Sequence, residues 1–210
     1  MHSSTAYHKR KPENGREFPE VFKIAKVIPL HKANEISEKS NFRPISLLSV
    51  FSKVLERVVK YQLVNYLENN NILTNCQYGF RKSKNITDAL FDINKVINSA
   101  VNKKLKSLLL FLDLAKAFDS VDRTKLLHKM EFIGIKGNAL KWFKSYLSNR
   151  KQFVTINGVN SEQVLVDYGL IQGSTLGPVL FLIYVNNFPN LKLAGKLFLF
   201  ADDAAVFFLM

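Results

Sequence analysis

Two runs of large apolar side chains in this chain are each closed by aspartate. One is Leu-Leu-Leu-Phe-Leu-Asp-Leu-Ala-Lys-Ala-Phe-Asp (108–119), the other Leu-Phe-Leu-Phe-Ala-Asp-Asp-Ala-Ala-Val-Phe-Phe (197–208). A continuous apolar run this short, ended by polar residues, reads as a strand buried on both faces. A carboxylate beside such a strand costs free energy unless a cation neutralises it. We therefore expect two neighbouring strands to present Asp113, Asp202 and Asp203 to shared divalent ions. Taken singly, Asp202-Asp203 reads equally well as a hairpin turn and Asp113 as a helix cap. The combination carries the argument.

Charge points to a polyanionic partner. The net charge is +13, with 30 Lys and Arg against 17 Asp and Glu. All of the excess lies in residues 1–150 (27 basic, 13 acidic); residues 151–210 hold 3 and 4. Such asymmetry favours nucleic acid over a merely solvated basic surface. The single cysteine, Cys76, excludes an internal disulfide and a Cys-rich zinc site, and fits a reducing, intracellular setting. It reads as a small apolar filler. No apolar run approaches the ~20 residues of a membrane-spanning helix, so no membrane partner is expected.

The chain divides into recognisable segments. Residues 1–17 are basic and polar, and are expected to be disordered. Val21–Leu30 and Phe42–Leu48 read as a hairpin with a charged tip. Residues 50–69 and 85–101 carry helical spacing, the second behind a cap at Ser83 or Asn85. Gln77-Tyr78-Gly79-Phe80-Arg81 reads as an irregular connection. Asp122–Phe132 and Asn138–Leu147 read as short helices. Gln152–Ile156 and Gln163–Tyr168 read as strands joined through the turn pair Asn157-Gly158. Ser174–Asn187 reads as a helix, and 197–209 as a tight hairpin around Asp202-Asp203. The fold class is α+β, with helices packed on one face of a mainly antiparallel sheet.

Further side chains suit phosphoryl chemistry. Two metal ions about 4 Å apart clamp the attacking and leaving oxygens of such a transfer, and magnesium needs only a few aspartates beside water and phosphate. Phe118, five residues beyond Asp113, could floor a pocket for a sugar; a plain core aromatic is the alternative. Gln172 offers a donor and an acceptor. Gly173 permits a ligand to approach the backbone closely. The helix starting near Ser174 would aim its amides at an anion or a base edge, unless it is simply a capped helix start. Arg43 and Arg81 have the fork geometry for triphosphate oxygens, or else form ordinary salt bridges. Lys32 and Lys39 add charge nearby. Asp119 and Asp122 read as helix-start residues.

Together these stretches resemble the reverse transcriptase domain of non-LTR, LINE-like (jockey-type) retrotransposons. The resemblance runs from Phe18 to the C-terminus. It rests on Phe-Pro-Glu-Val-Phe-Lys-Ile-Ala-Lys-Val-Ile-Pro-Leu-His-Lys (18–32), Asn-Phe-Arg-Pro-Ile-Ser-Leu-Leu (41–48), Gln-Tyr-Gly-Phe-Arg (77–81), Asp-Leu-Ala-Lys-Ala-Phe-Asp-Ser-Val-Asp (113–122), Gln-Gly-Ser-Thr-Leu-Gly-Pro (172–178) and Phe-Ala-Asp-Asp (200–203). It implies a right-hand polymerase, with fingers and part of the palm in 18–107 and palm in 108–210, ending before the thumb. By resemblance, Asp113, Asp202 and Asp203 hold two Mg²⁺ ions (Mn²⁺ being a substitute), and Phe118 is the gate that excludes a 2′-hydroxyl. Arg43, with Arg81 as a second candidate, holds the incoming triphosphate. Gln172 and Gly173 contact the nascent pair and template. The implied partners are an RNA template, a DNA primer and dNTPs. The chain departs from the family pattern at Leu170-Ile171, where a proline commonly precedes the glutamine, at Asn187 and at Ala204. A nucleic-acid-binding remnant with weak or no turnover and an RNA-directed RNA polymerase are the competing expectations.

Overall fold

In the computed structural model, which describes residues 17–32, 35–38, 41–191 and 193–210, the two aspartate-bearing runs lie side by side. The elements are, in order, β1 (Ile24–His31), β2 (Phe42–Leu47), α1 (Val50–Asn69), α2 (Ile86–Asn102), β3 (Ser107–Asp113), α3 (Arg123–Phe132), α4 (Gly137–Leu147), β4 (Lys151–Ile156), β5 (Val159–Asn160), β6 (Val164–Leu165), α5 (Gly177–Val185), β7 (Lys196–Phe200) and β8 (Asp203–Leu209). The expected disordered tail (1–17) lies outside the described residues except for Glu17, as does Lys39.

Two sheets form. The first is three-stranded and antiparallel, ordered β3-β8-β7. The second has the order β2-β1-β4-β5, with β6 also on β4. Here β1 and β2 make the expected hairpin, with Val27 opposite Ser46 and Leu30 opposite Arg43. The pairing of β1 with β4 is parallel, Ile24 to Val27 against Lys151 to Val154. The other five pairings are antiparallel, as expected. The departures are that two sheets form in place of one and that this one pair is parallel, which needs a long crossover that residues 32–150 supply. Pro29 lies beyond the stretch paired with β4, where its missing N–H costs no bond to that strand. The Asn157-Gly158 turn joins β4 to the two-residue β5, and the chain then returns as β6. The expected longer partner, Gln163–Tyr168, pairs only over Val164–Leu165.

Helix α2 is fixed by a capping box: the Asn85 side chain accepts from the Asp88 amide and Asp88 accepts from the Asn85 amide. Its apolar stripe, Ala89, Ile93, Val96, Ile97 and Ala100, packs on Phe198, Ala205 and Phe207 of the three-stranded sheet. The opposite face of β7 and β8 (Leu197, Leu199, Ala204 and Val206) is buried as well, against Phe188, which also touches the main helical core. Both faces of these strands are covered, not one.

The main core gathers α1, α3, α4 and α5 around Leu67, Leu126, Met130, Tyr146 and Leu180. Each such fully buried apolar side chain contributes roughly 1.5–3 kcal/mol. Helix α5, Gly-Pro-Val-Leu-Phe-Leu-Ile-Tyr-Val, is apolar all round and sits inside this core. It starts three residues later than expected. Helix α1 covers 50–69 as expected, but its apolar surface splits in two. Leu63 and Leu67 are buried, while Phe51, Val54 and Val58 are exposed, and Ser52 and Glu56 take buried places instead.

Strand β3 differs most from its sequence. Leu108, Leu110, Phe111 and Leu112 are 44–71 % exposed, against the expected burial on both faces. β3 is an edge strand paired only with β8, and α2 packs across β7 and β8 instead.

Candidate active site

Antiparallel register sets Asp113 directly opposite Asp203. Directly opposed residues share one face of the sheet, so the two carboxylates project together. Phe200 pairs with Asp203 across the β7–β8 turn, leaving Ala201 and Asp202 as its two loop residues. Ala201 takes a positive φ of 59°, the handedness that tight two-residue hairpins require. All three aspartates line one cleft of about 1180 Å³. Asp113 and Asp203 are exposed and Asp202 is half-buried, so the cost expected from burial is replaced by repulsion between opposed like charges. No hydrogen bond or ion pair within the described residues engages these carboxylates.

The other cleft walls come from distant parts of the chain. β1 and β2 contribute Pro29, Arg43 and Pro44, with Lys32 beyond; the loop after β3 contributes Lys116 and Phe118. The segment before α5 contributes Gln172 and Gly173. Cationic groups thus face the aspartates across one hollow, an arrangement matched to phosphate oxygens and metal together. Among the described residues no three His, Cys, Asp or Glu side chains stand close enough to enclose an ion by themselves. The donor set fits a hard cation that keeps waters and takes further ligands from phosphate; it does not fit a closed structural site.

Phe118 is half-buried. Its ring stacks on Phe181 of α5, centroids 4.7 Å apart, and meets Phe80 edge-on at 6.3 Å. It is a core aromatic and a cleft wall at once, held rigidly from below. Gln172 donates from Nε2 to Asp119 Oδ1 at 2.9 Å, so Asp119 is not a helix-start residue. Asp122 is one, capping α3 through the Thr124 and Lys125 amides.

The structure corrects three sequence expectations here. Gly173, at φ +105°, is approached by its own chain: a Cβ there would lie 2.6 Å from the Ser46 carbonyl oxygen of β2. The Ser46 amide in turn donates to the Gln172 carbonyl at 2.9 Å. A strand thus makes the close approach on the Cβ side, while Gly173 still lines the cleft. Secondly, the amides that open α5 are occupied. Thr175 and Leu176 donate to Glu56 Oε2 at 2.7 and 3.2 Å, and Gly177 to Ser174 Oγ at 2.9 Å. No free anion cradle remains there. Thirdly, Arg81 is absent from the cleft lining. Its Nε donates to Glu68 at 3.0 Å, Nη1 to the Thr74 carbonyl, and Nη2 to the second Glu68 oxygen. This bidentate pair staples α1 to the 74–81 connection, the ordinary salt bridge left open by sequence.

Three supporting residues, Gln77, Gly79 and Glu56, received no role from the sequence. Gln77, 2 % exposed, accepts from the Ala201 amide through Oε1 at 3.0 Å and donates from Nε2 to the Ala201 carbonyl at 3.3 Å. Gly79 lies against the same turn, where a Cβ would sit 2.3 Å from the Ala201 nitrogen. The Gln-Tyr-Gly segment therefore grips the hairpin that carries Asp202 and Asp203. The available signal was a glutamine two residues before a glycine in a connection with no helical or strand period. Glu56 gave even less signal, as one acid in a helix rich in charge.

Comparison with known proteins agrees with this geometry. Residues 30–209 match the family described as reverse transcriptase (RNA-dependent DNA polymerase). The probable RNA-directed DNA polymerase from transposon X-element of Drosophila melanogaster is 34 % identical over 194 residues, covering 90 % of this chain and 21 % of the relative. The RNA-directed DNA polymerase from mobile element jockey of Drosophila funebris is 29 % identical over 197 residues, with the same coverage of 90 % and 21 %. The chain thus spans about a fifth of the length of these relatives. Apo telomerase from Candida tropicalis has a similar fold, with a TM-score of 0.64 at 12 % identity over 95 % of this chain and 41 % of that one. With the match running from the β1 strand to the end of β8, this chain belongs to the reverse transcriptase family, among the relatives carried by non-LTR retrotransposons.

Proposed function

We propose that this chain carries the nucleotidyl-transfer site of an RNA-directed DNA polymerase, acting on dNTPs, a DNA primer and an RNA template. The observation that carries the reading is the opposition of Asp113 and Asp203, with Asp202 one residue away, on the floor of a basic-walled cleft. Residues 18–107 then act mainly as fingers and 108–210 as palm.

In this reading Asp113, Asp202 and Asp203 hold two divalent ions, Mg²⁺ in the first instance and Mn²⁺ as a substitute. When bound, such ions polarise the α-phosphate and lower the pKa of the attacking 3′-hydroxyl. Arg43 and Lys32 face the cleft and bind the triphosphate oxygens, stabilising charge that accumulates on the leaving pyrophosphate. The Phe118 ring, braced by Phe181, occupies the space a ribose 2′-hydroxyl would need. Gln172, oriented by Asp119, and the backbone at Gly173 form the wall against which the template base rests. The primer oxygen forms the new P–O bond as the bond to pyrophosphate breaks.

Primer extension on an RNA template with dNTPs and Mg²⁺ tests this. Incorporation by the wild-type chain and its loss in Asp202→Ala are expected. Equal incorporation by both would remove the assigned role. Binding to RNA–DNA duplex should weaken steeply with salt, because phosphate contacts release counterions.

A further inference from the structure

Seven non-glycine residues among those described take a positive φ. Three are asparagines (Asn71, Asn149 and Asn157), which tolerate that conformation, and Lys104 follows the end of α2. Ala201 makes the turn that carries Asp202 and Asp203, and Phe80 meets the Phe118 ring. The seventh is Lys116, at φ 52°, in the cleft wall between Asp113 and Phe118. A long side chain in the left-handed region costs free energy that glycine would avoid. Such strain concentrates at ligand-binding positions.

The loop gives this backbone no room to relax. The Lys116 carbonyl accepts from the Asp119 and Ser120 amides at 2.9 and 3.0 Å. Gly169 donates to the Val121 carbonyl and Leu170 to the Phe118 carbonyl, both at 2.8 Å. The strain is thus held by the loop that also positions Phe118. The Lys116 side chain is exposed and engages no hydrogen-bond or ion-pair partner among the described residues, so packing does not account for a lysine here. Three cations, Lys32, Arg43 and Lys116, line the cleft beside the Asp113, Asp202 and Asp203 carboxylates and Asp119. Asp119 already accepts from Gln172. Lys32 and Arg43 belong to the β1–β2 region, whereas Lys116 belongs to the segment that carries Asp113 and Phe118.

We propose that Lys116 contacts the substrate, its ammonium binding the triphosphate of the incoming nucleotide and then the pyrophosphate that leaves. This rests on the polymerase reading above. A lysine is a compact point charge on a flexible stem, able to follow phosphate oxygens as they move. The chain gives up backbone stability at position 116 to place a cation on the short loop between a carboxylate of the metal site and the aromatic wall.

Calorimetric titration in Mg²⁺ with dTTP, inorganic pyrophosphate and dTMP tests the assignment in wild type, Lys116→Gln and Lys116→Arg. We expect Lys116→Gln to weaken dTTP and pyrophosphate binding about tenfold, the loss of one charge-assisted contact, and to change dTMP binding little. Lys116→Arg should recover most of the affinity. Lys116→Gly should lose the same affinity yet melt about 2–4 °C above wild type, because glycine takes the left-handed backbone without strain. Equal dTTP affinity in wild type and Lys116→Gln, no dTTP binding by wild type, or a lower melting temperature in Lys116→Gly would overturn the proposal. Primer extension separates it from the reading it rests on. Extension by wild type with an unchanged KM for dTTP in Lys116→Gln removes the role of Lys116 and leaves the polymerase. Triphosphate binding that depends on Lys116, without any extension, removes the polymerase and leaves the phosphate contact.

Discussion

Gln77 and Ala201, 124 residues apart in sequence, are joined by a two-way amide clasp, with Gln77 accepting from the Ala201 N–H and donating to its C=O. Ala201 is the left-handed residue of the turn that presents Asp202 and Asp203. Replacing Gln77 by leucine leaves a buried amide and a buried carbonyl unpaired, each costing about 1–3 kcal/mol. Gln77→Leu should therefore lower stability by a few kcal/mol in denaturant titration. It should also depress nucleotide incorporation beyond what the lost folded fraction explains, because the turn is no longer held.

Asp113 and Asp203 repel across the register they share. Asp113→Asn removes one charge while keeping the shape. The variant should melt at a higher temperature than wild type in chelator. Added Mg²⁺ should raise the melting temperature of wild type but not of the variant. A Mg²⁺ response retained in full by Asp113→Asn would show that the ion binds elsewhere.

Phe118 is fixed between Phe181 and Phe80, so its edge is a rigid boundary of the cleft. Shortening it in Phe118→Val opens that boundary. Discrimination of dNTP over rNTP, measured as the ratio of kcat/KM values, should drop on the order of tenfold to a hundredfold. An unchanged ratio would mean that the ring serves only packing.

Glu56 is wholly buried and receives the Thr175 and Leu176 amides at the start of α5. A carboxylate there also faces the positive end of the helix dipole. Glu56→Ala strips these donors of their acceptor and should cost about 2–4 kcal/mol. Glu56→Gln, which preserves one acceptor oxygen, should cost less. Urea unfolding of the two variants beside wild type would settle the order.

Tyr78 donates to Asp92 at 2.6 Å. Burial, reinforced by the hydrogen bond to Asp92 and its negative charge, raises the phenol pKa well above its ordinary value of 10.0. Between the unfolded and folded pKa values the native state retains a proton that the unfolded chain has lost. Stability from this group is therefore complete below about pH 10 and falls as pH rises further. Tyr146 shifts the same way, through burial first and then Glu56. The stability gap between wild type and Tyr78→Phe should be about 1.5–3 kcal/mol at pH 7, the range for a bond to a charged acceptor, and should shrink above pH 10. A gap that stays constant to pH 11 would contradict the assigned proton linkage.

Local preference was enough to find most elements. Helical spacing at Ile86, Leu90, Ile93, Ile97 and Val101 and the Asn85 cap specify α2 from neighbouring residues alone, although Ile86, Leu90 and Val101 prove exposed and Ala89, Val96 and Ala100 join Ile93 and Ile97 on the sheet. The apolar run into Asp113 and the hairpin around Asp202 likewise announce strands, and the ordered motifs place the chain in its family. These signals act over a few residues, as helical spacing, caps and turns do. Tertiary structure decided which partners the side chains meet. It turned Arg81 toward Glu68 and away from the cleft, laid Ser46 against Gly173, placed Glu56 under α5, and left β3 on an open sheet edge. None of these has a local signature, because each depends on segments separated along the chain that meet only when it folds. The charge of a lone Arg or Glu states what it can bind; the burial and geometry that choose its partner exist only in the folded chain.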